Sequence, residues 1–138
     1  MNRDDLVAAA RAAAENAYAP YSHFRVGAAV LADTGELFTG ANIENAAYPS
    51  SNCAEATAIH TAVAAGTRKI DAVAGACIDA TDIEGAYPCG RCRQIMSEFW
   101  VDRIYVTGPE GMEIREHTFE ELLPHRFTLS PPGVAGLG

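Results

Sequence analysis

The sequence predicts an α/β fold: a three-layer α/β/α sandwich around a mixed, mostly five-stranded sheet. Three observations predict it. A hairpin pattern precedes residue 50, helical and strand-like segments alternate after it, and two cysteine motifs fall where two of the helices begin. Helices that alternate with strands imply right-handed crossovers and a sheet covered on both faces. In such sheets the ligand crevice lies at the carboxyl ends of the strands, where helix N-termini also gather.

The elements follow in order. Asp5 to Tyr18 carries Leu6, Val7, Ala10, Ala13, Ala14 and Ala17 at three- and four-residue steps, which reads as an amphipathic helix stopped by Pro20. Val26 to Leu31 and Leu37 to Gly40 read as strands joined by the turn Asp33-Thr34-Gly35. Cys53 to Ala65 is helical, with Ser51 or Asn52 as N-cap and Gly66 as the stop. Ile70 to Ile78 is a buried strand, Thr81 to Tyr87 a loop, and Cys89 to Trp100 a second such helix opened by Pro88. A strand at Arg103 to Thr107, a turn at Gly108 to Gly111 and a strand at Met112 to Arg115 come next. Thr118-Phe119-Glu120-Glu121 has the form of a capping box for a short last helix, and Ser130 to Gly138 reads as a loose tail.

Composition narrows the partners. At 138 residues the chain fits one domain, expected over residues 1–129, with a real core. A net charge of -8, with ten scattered Lys and Arg, argues against a nucleic-acid polymer and favours a small, weakly charged substrate. No stretch approaches the roughly 20 apolar residues that span a bilayer, so no membrane partner is expected. Met1 to Ala14 lacks a signal peptide's apolar core, and the expected compartment is the cytoplasm. There, four cysteines serve as metal ligands or core residues before disulfides.

The chemistry gathers at Cys53-Ala54-Glu55 and Cys89-Gly90-Arg91-Cys92. A Cys-x-x-Cys pair alone is a weak signal, shared by redox and structural zinc sites. On one helix face its thiols can clamp a metal. Cys53, opening the preceding helix, can reach the same point, and partial positive charge at helix N-termini favours thiolates. Three ligands and an open position describe a catalytic zinc, four a structural one. Cys77, the remaining thiol, falls inside a strand and reads as a small buried hydrophobe. His60 reads as packed or solvated and His125 as solvated. Glu55 admits two readings, a capping partner of Asn52 or a proton carrier beside the metal.

These motifs, with Tyr21 to Ala29, Asn42-Ile43-Glu44-Asn45 and Pro88 to Gln94, make the chain resemble the cytidine deaminase family in its small tetrameric form. The resemblance spans about Tyr18 to Phe127. It implies one zinc per chain on Cys53, Cys89 and Cys92, whose hydroxide attacks C4 of cytosine while Glu55 shuttles protons to N3 and the leaving amine. It further implies that Phe24 packs on the pyrimidine, Asn42 and Glu44 hold the ribose hydroxyls, and the Ala54 amide contacts the base. Tyr48 and Phe127 would be lent by a neighbouring subunit of a homotetramer. The implied activity is deamination of cytidine and deoxycytidine in pyrimidine salvage. A blasticidin-type deaminase, a non-catalytic zinc module closed by Cys77 and a thioredoxin-like pair are the alternatives, in that order. Many family members carry Arg after Cys-Ala-Glu; Ala56 stands here, leaving Arg91 or Arg93 to supply the charge.

Overall fold

The computed structural model describes residues 1–129. The expected tail at Ser130 to Gly138 lies outside them. Helix α1 spans Arg3–Ala14, started by the Asn2 side chain, which accepts from the Asp5 N–H at 2.9 Å. Asp4 and Asp5 in its first turn and Arg11 in its last suit the helix dipole. The helix ends earlier than the expected Tyr18. The Tyr18 N–H donates to the Asn42 carbonyl at 2.9 Å instead, drawing that residue into a bridge with Ile43.

Strands β1 (Val26–Ala32) and β2 (Leu37–Ala41) form the expected antiparallel hairpin, with Gly35 at φ +91° in its turn. Helix α2 (Ala54–Ala64), strand β3 (Ile70–Cys77), helix α3 (Gly90–Glu98) and strand β4 (Arg103–Thr107) follow. A 3-10 turn at Ile83–Ala86 sits within the segment expected to be loop. The sheet order is β2-β1-β3-β4-β5, and β3 with β4 is the parallel pair bridged by α3. The expected mixed sheet of five strands is what forms.

The last strand, β5, runs over Arg115–Thr118, not Met112 to Arg115. The Thr107 hydroxyl donates to the Glu113 carbonyl at 2.7 Å, and the Arg11 guanidinium also reaches Met112 O. Those bonds hold residues 112 and 113 in the turn, so strand pairing with β4 begins only at Arg115. The short helix α4 (Phe119–Leu122) opens on the expected capping box of Thr118 and Glu121.

Two cores flank the sheet. Leu6, Val7 and Ala10 of α1 pack against Ala29, Ala72, Ala74 and Ala76 on one face. The other face carries the larger core, with Ile59 of α2, Met96 of α3, Val73 and Phe119. Gly40 lets α2 lie close on β2, because a Cβ there would meet the Ala58 N at 2.5 Å. That close approach fixes the height of α2 over the sheet, and so the place of its first residues.

Candidate metal centre and active site

Helices α2 and α3 each begin on a cysteine. Cys53 and Cys89 occupy the N-cap positions in extended backbone conformation, and neither side chain caps its own helix. Both thiols are thus free for another partner. The expected N-caps Ser51 and Asn52 are displaced. Asn52 instead donates to the Thr57 hydroxyl at 3.0 Å and accepts from Arg91 at 3.0 Å. Glu55 is therefore the second helical residue, not the third, and the capping-box geometry does not arise.

The sulfurs of Cys53, Cys89 and Cys92 lie within 4.8 Å of one another, the one such metal-ligating group among the described residues. Cys53 Sγ and Cys89 Sγ are 3.8 Å apart. Two thiolates at zinc's usual bond length and tetrahedral angle stand about 3.8 Å apart, so the donor set fits zinc. The Cys53 thiol is pushed down to about 6, first because Cys92 donates to it, then through Cys89 and the Arg91 charge, against its burial. Cys92 moves up, as the donor of that pair and through burial. Cys77 is buried and stands outside the cluster; burial pushes its thiol up to about 12. His60 and His125 face solvent.

Glu55 is 5% exposed, at the first turn of α2. Burial raises its carboxyl to about 7; its own backbone N–H opposes the rise and the Cys53 charge adds to it. Gly75 on β3 makes the room, since a Cβ there would come within 3.3 Å of Glu55 Oε2. A cavity of about 280 Å³ opens here, lined by Phe24, Asn42, Ala54, Glu55, Cys77 and Tyr87 together with the Cys53 and Cys89 thiols.

The remaining expected residues divide. Asn42 is fixed at both ends of its amide: Oδ1 accepts from Val26 N and Nδ2 donates to Phe24 O, each at 2.9 Å. Glu44 and Tyr48 line a different cavity, of about 330 Å³, with Tyr21 and Ser22. Glu44 accepts from the Ser22 hydroxyl and from the Tyr21 and Ser22 N–H groups, which hold its carboxyl below the usual range. Tyr48 and Phe127 are 73% and 65% exposed and reach neither Glu55 nor the thiols within one chain. Of the two arginines, Arg93 is spent on the Pro88 and Leu122 carbonyls, at 2.9 and 2.7 Å. Arg91 faces Asn52 and Cys53. Sequence reasoning passed over Gly75 and Tyr87. A glycine inside a strand is a mark of close approach, so Gly75 carried a usable signal; Tyr87 carried none.

Comparison with known proteins agrees with this geometry. Residues 1–107 match the family described as cytidine and deoxycytidylate deaminase zinc-binding region. The chain is 44% identical over 131 residues to the cytidine deaminase of Sporosarcina psychrophila, covering 93% of each. It is 32% identical over 108 residues to the blasticidin-S deaminase of Bacillus cereus, covering 75% of this chain and 76% of that one. The crystal structure of cytidine deaminase from Burkholderia pseudomallei superposes with a TM-score of 0.83 at 42% identity, over 92% of this chain and 100% of that one. Three convergent thiols fit the zinc-binding character of that family model, and the chain belongs to the cytidine deaminase family of zinc-binding enzymes.

Proposed function

We propose that the protein converts cytidine and deoxycytidine, with water, to uridine and deoxyuridine plus ammonia, as a step of pyrimidine salvage in the cytoplasm. One observation carries the reading: Glu55, buried with its carboxyl near neutrality, stands at a cavity that also holds the cysteine cluster. Zinc held by Cys53, Cys89 and Cys92 would supply Lewis acidity and the activation of water. Glu55 does the proton work. A carboxyl near neutrality holds a proton and releases it with little cost in either direction, so it can serve N3 of the pyrimidine and then the departing amine.

The rest of the cavity orients. Phe24 offers a flat apolar wall to the base. The Ala54 N–H, in the first turn of α2, has no acceptor within its helix and can bond the base. Asn42 spends one donor and one acceptor on the backbone and keeps one of each for a sugar hydroxyl. Glu44, assigned the other sugar hydroxyl by the family resemblance, would have to leave the Tyr21–Ser22 turn to reach it. Tyr48 and Phe127, too exposed for a lone chain, complete the pocket of a neighbour in a homotetramer.

No helix among the described residues is long and apolar enough to cross a membrane. The likeness to blasticidin-S deaminase makes a related aminopyrimidine nucleoside the second reading. Zinc content measured together with ammonia release from cytidine, deoxycytidine and blasticidin S decides between them. Release from the first two with one zinc per chain is expected; release from blasticidin S alone overturns the first reading.

A further inference from the structure

We propose that Tyr87, His117 and Glu121 form a hydrogen-bonded brace that positions the segment delivering Cys89 and Cys92 to the metal. The inference rests on the reading of those thiols as zinc ligands. Tyr87 stands two residues before Cys89, half-buried against the larger core, and lines the cavity that holds Glu55. Its hydroxyl lies 2.8 Å from His117 Nε2, and His117 Nδ1 lies 3.1 Å from Glu121 Oε2. Arg115 adds a longer bond to the same hydroxyl, at 3.4 Å, and an ion pair to Glu84 at 2.9 Å.

Polarity makes this array self-consistent. A guanidinium only donates and a carboxylate only accepts. With Arg115 donating, the Tyr87 oxygen accepts and its own proton stays free to turn to Nε2. With Glu121 accepting, the imidazole carries its proton on Nδ1. An imidazole carrying a proton on Nδ1 therefore satisfies every contact without conflict.

The anchoring end is itself fixed. Arg115 and His117 are alternate residues of β5 and share a face. Glu121 is held by the Thr118 backbone and hydroxyl in the capping box. Arg93 makes a second tie, joining the Pro88 and Leu122 carbonyls. The β5–α4 unit thus grips the residues just before Cys89 from two sides. Arg115, His117 and Glu121 all lie beyond the residues matched to the family's zinc-binding region, which end at 107. None of the three touches the thiols. They are positioning residues, acting through Tyr87.

The test uses the zinc-loaded protein challenged with a chromophoric chelator, following zinc release and thermal unfolding in parallel. Tyr87→Phe removes only the hydroxyl, and His117→Phe keeps a ring without the bonds. Outer partners that bond a ligand directly change metal affinity roughly 10–100-fold. One step removed, each variant is expected to speed release by about three- to tenfold. Because the bonds form one chain, the double variant should release no faster than the faster single. Val7→Ala, which loosens α1 on the opposite face, should lower the unfolding temperature and leave release unchanged. Unchanged release in both single variants, additive effects in the double, or equal acceleration by Val7→Ala would each overturn the brace. If the unsubstituted protein holds no zinc, the metal reading fails and the brace goes with it.

Discussion

The two faces of β3 serve different ends. Ala72, Ala74 and Ala76 turn to α1, where Leu6, Val7 and Ala10 close an apolar cluster. Val73, Gly75 and Cys77 turn to α2 and α3, where the same sheet buries a carboxyl and borders a cavity. The first face is uniform in residue size, which suits tight helix-on-sheet packing. The second has a vacancy at Gly75, and Glu55 occupies it. A buried carboxyl is costly unless neutralised or paired, and burial raises the Glu55 pKa to about 7. One strand therefore separates a layer that only stabilises from a layer that holds chemistry.

The largest break in the comparison comes from Glu55→Gln. Glutamine keeps the volume and removes the proton traffic, so zinc content and unfolding temperature should hold while turnover falls. General acid–base catalysis contributes roughly 10²–10⁴ in rate, and a group serving two steps belongs at the upper end. Steady-state kinetics beside metal analysis reads both; near-normal turnover would reduce Glu55 to a structural carboxyl. On the opposite face, Leu6→Ala should do the reverse. It deletes buried hydrocarbon at a cost of about 2–5 kcal/mol, visible in denaturant unfolding, with kcat and KM unchanged. A loss of turnover larger than the loss of folded protein would show that the faces are coupled.

The contrast between the faces also explains what sequence could reveal. Helix α1 was legible because its periodicity reports burial on one side, and the hairpin because turn residues follow an apolar run and precede a second strand-like stretch. The cysteine motifs were legible because ligand chemistry restricts residue type and spacing together. Strand β5 was not: Arg-Glu-His-Thr has no apolar alternation, and it is a strand because β4 offers it an edge to pair with. The N-caps were misplaced for a similar reason. Ser51 and Asn52 have better capping propensity than cysteine, but Ser51 is engaged by Asn45 and Asn52 by Thr57 and Arg91, so α2 starts on its thiol. The Tyr87–His117 bond of the brace joins residues 30 positions apart, and no local pattern encodes it. Asn42 and Glu44 alternate along an extended segment as expected, yet line different cavities, because Glu44 is drawn off by the Tyr21–Ser22 turn.

Gly75→Ala sharpens the comparison at a single carbon. The added Cβ would stand 3.3 Å from Glu55 Oε2, so the carboxyl must shift by a few tenths of an ångström. Misplacing a reacting group by about 1 Å can cost 10²-fold, and this smaller shift should lower kcat on the order of tenfold. Its counterpart, Ala74→Val, overfills the α1 face and should cost about 1–3 kcal/mol of stability while kcat stays put. Equal kinetic effects from the two substitutions would mean that the strand transmits crowding irrespective of face.

The smallest expected effect concerns charge at the metal end of the chemical face. Three thiolates on one divalent zinc leave an excess negative charge, which the N-termini of α2 and α3 offset only in part. Arg93 is unsuited to help, because both of its hydrogen bonds go to carbonyls of the Pro88 turn and α4. Arg91 is placed to help: held by Asn52 Oδ1, it lies close enough to Cys53 to lower that thiol's pKa. It is also exposed, and exposed ion pairs contribute about 0.2–1 kcal/mol. Arg91→Gln should therefore weaken zinc retention in a chelator competition by about two- to fivefold, with more salt bringing the unsubstituted protein toward the variant. Arg93→Gln should instead lower the unfolding temperature, by freeing the Leu122 carbonyl from its partner. If Arg91→Gln binds zinc as tightly as the unsubstituted protein at low salt, the helix dipoles and the Cys92–Cys53 interaction suffice, and Arg91 serves only to hold Asn52.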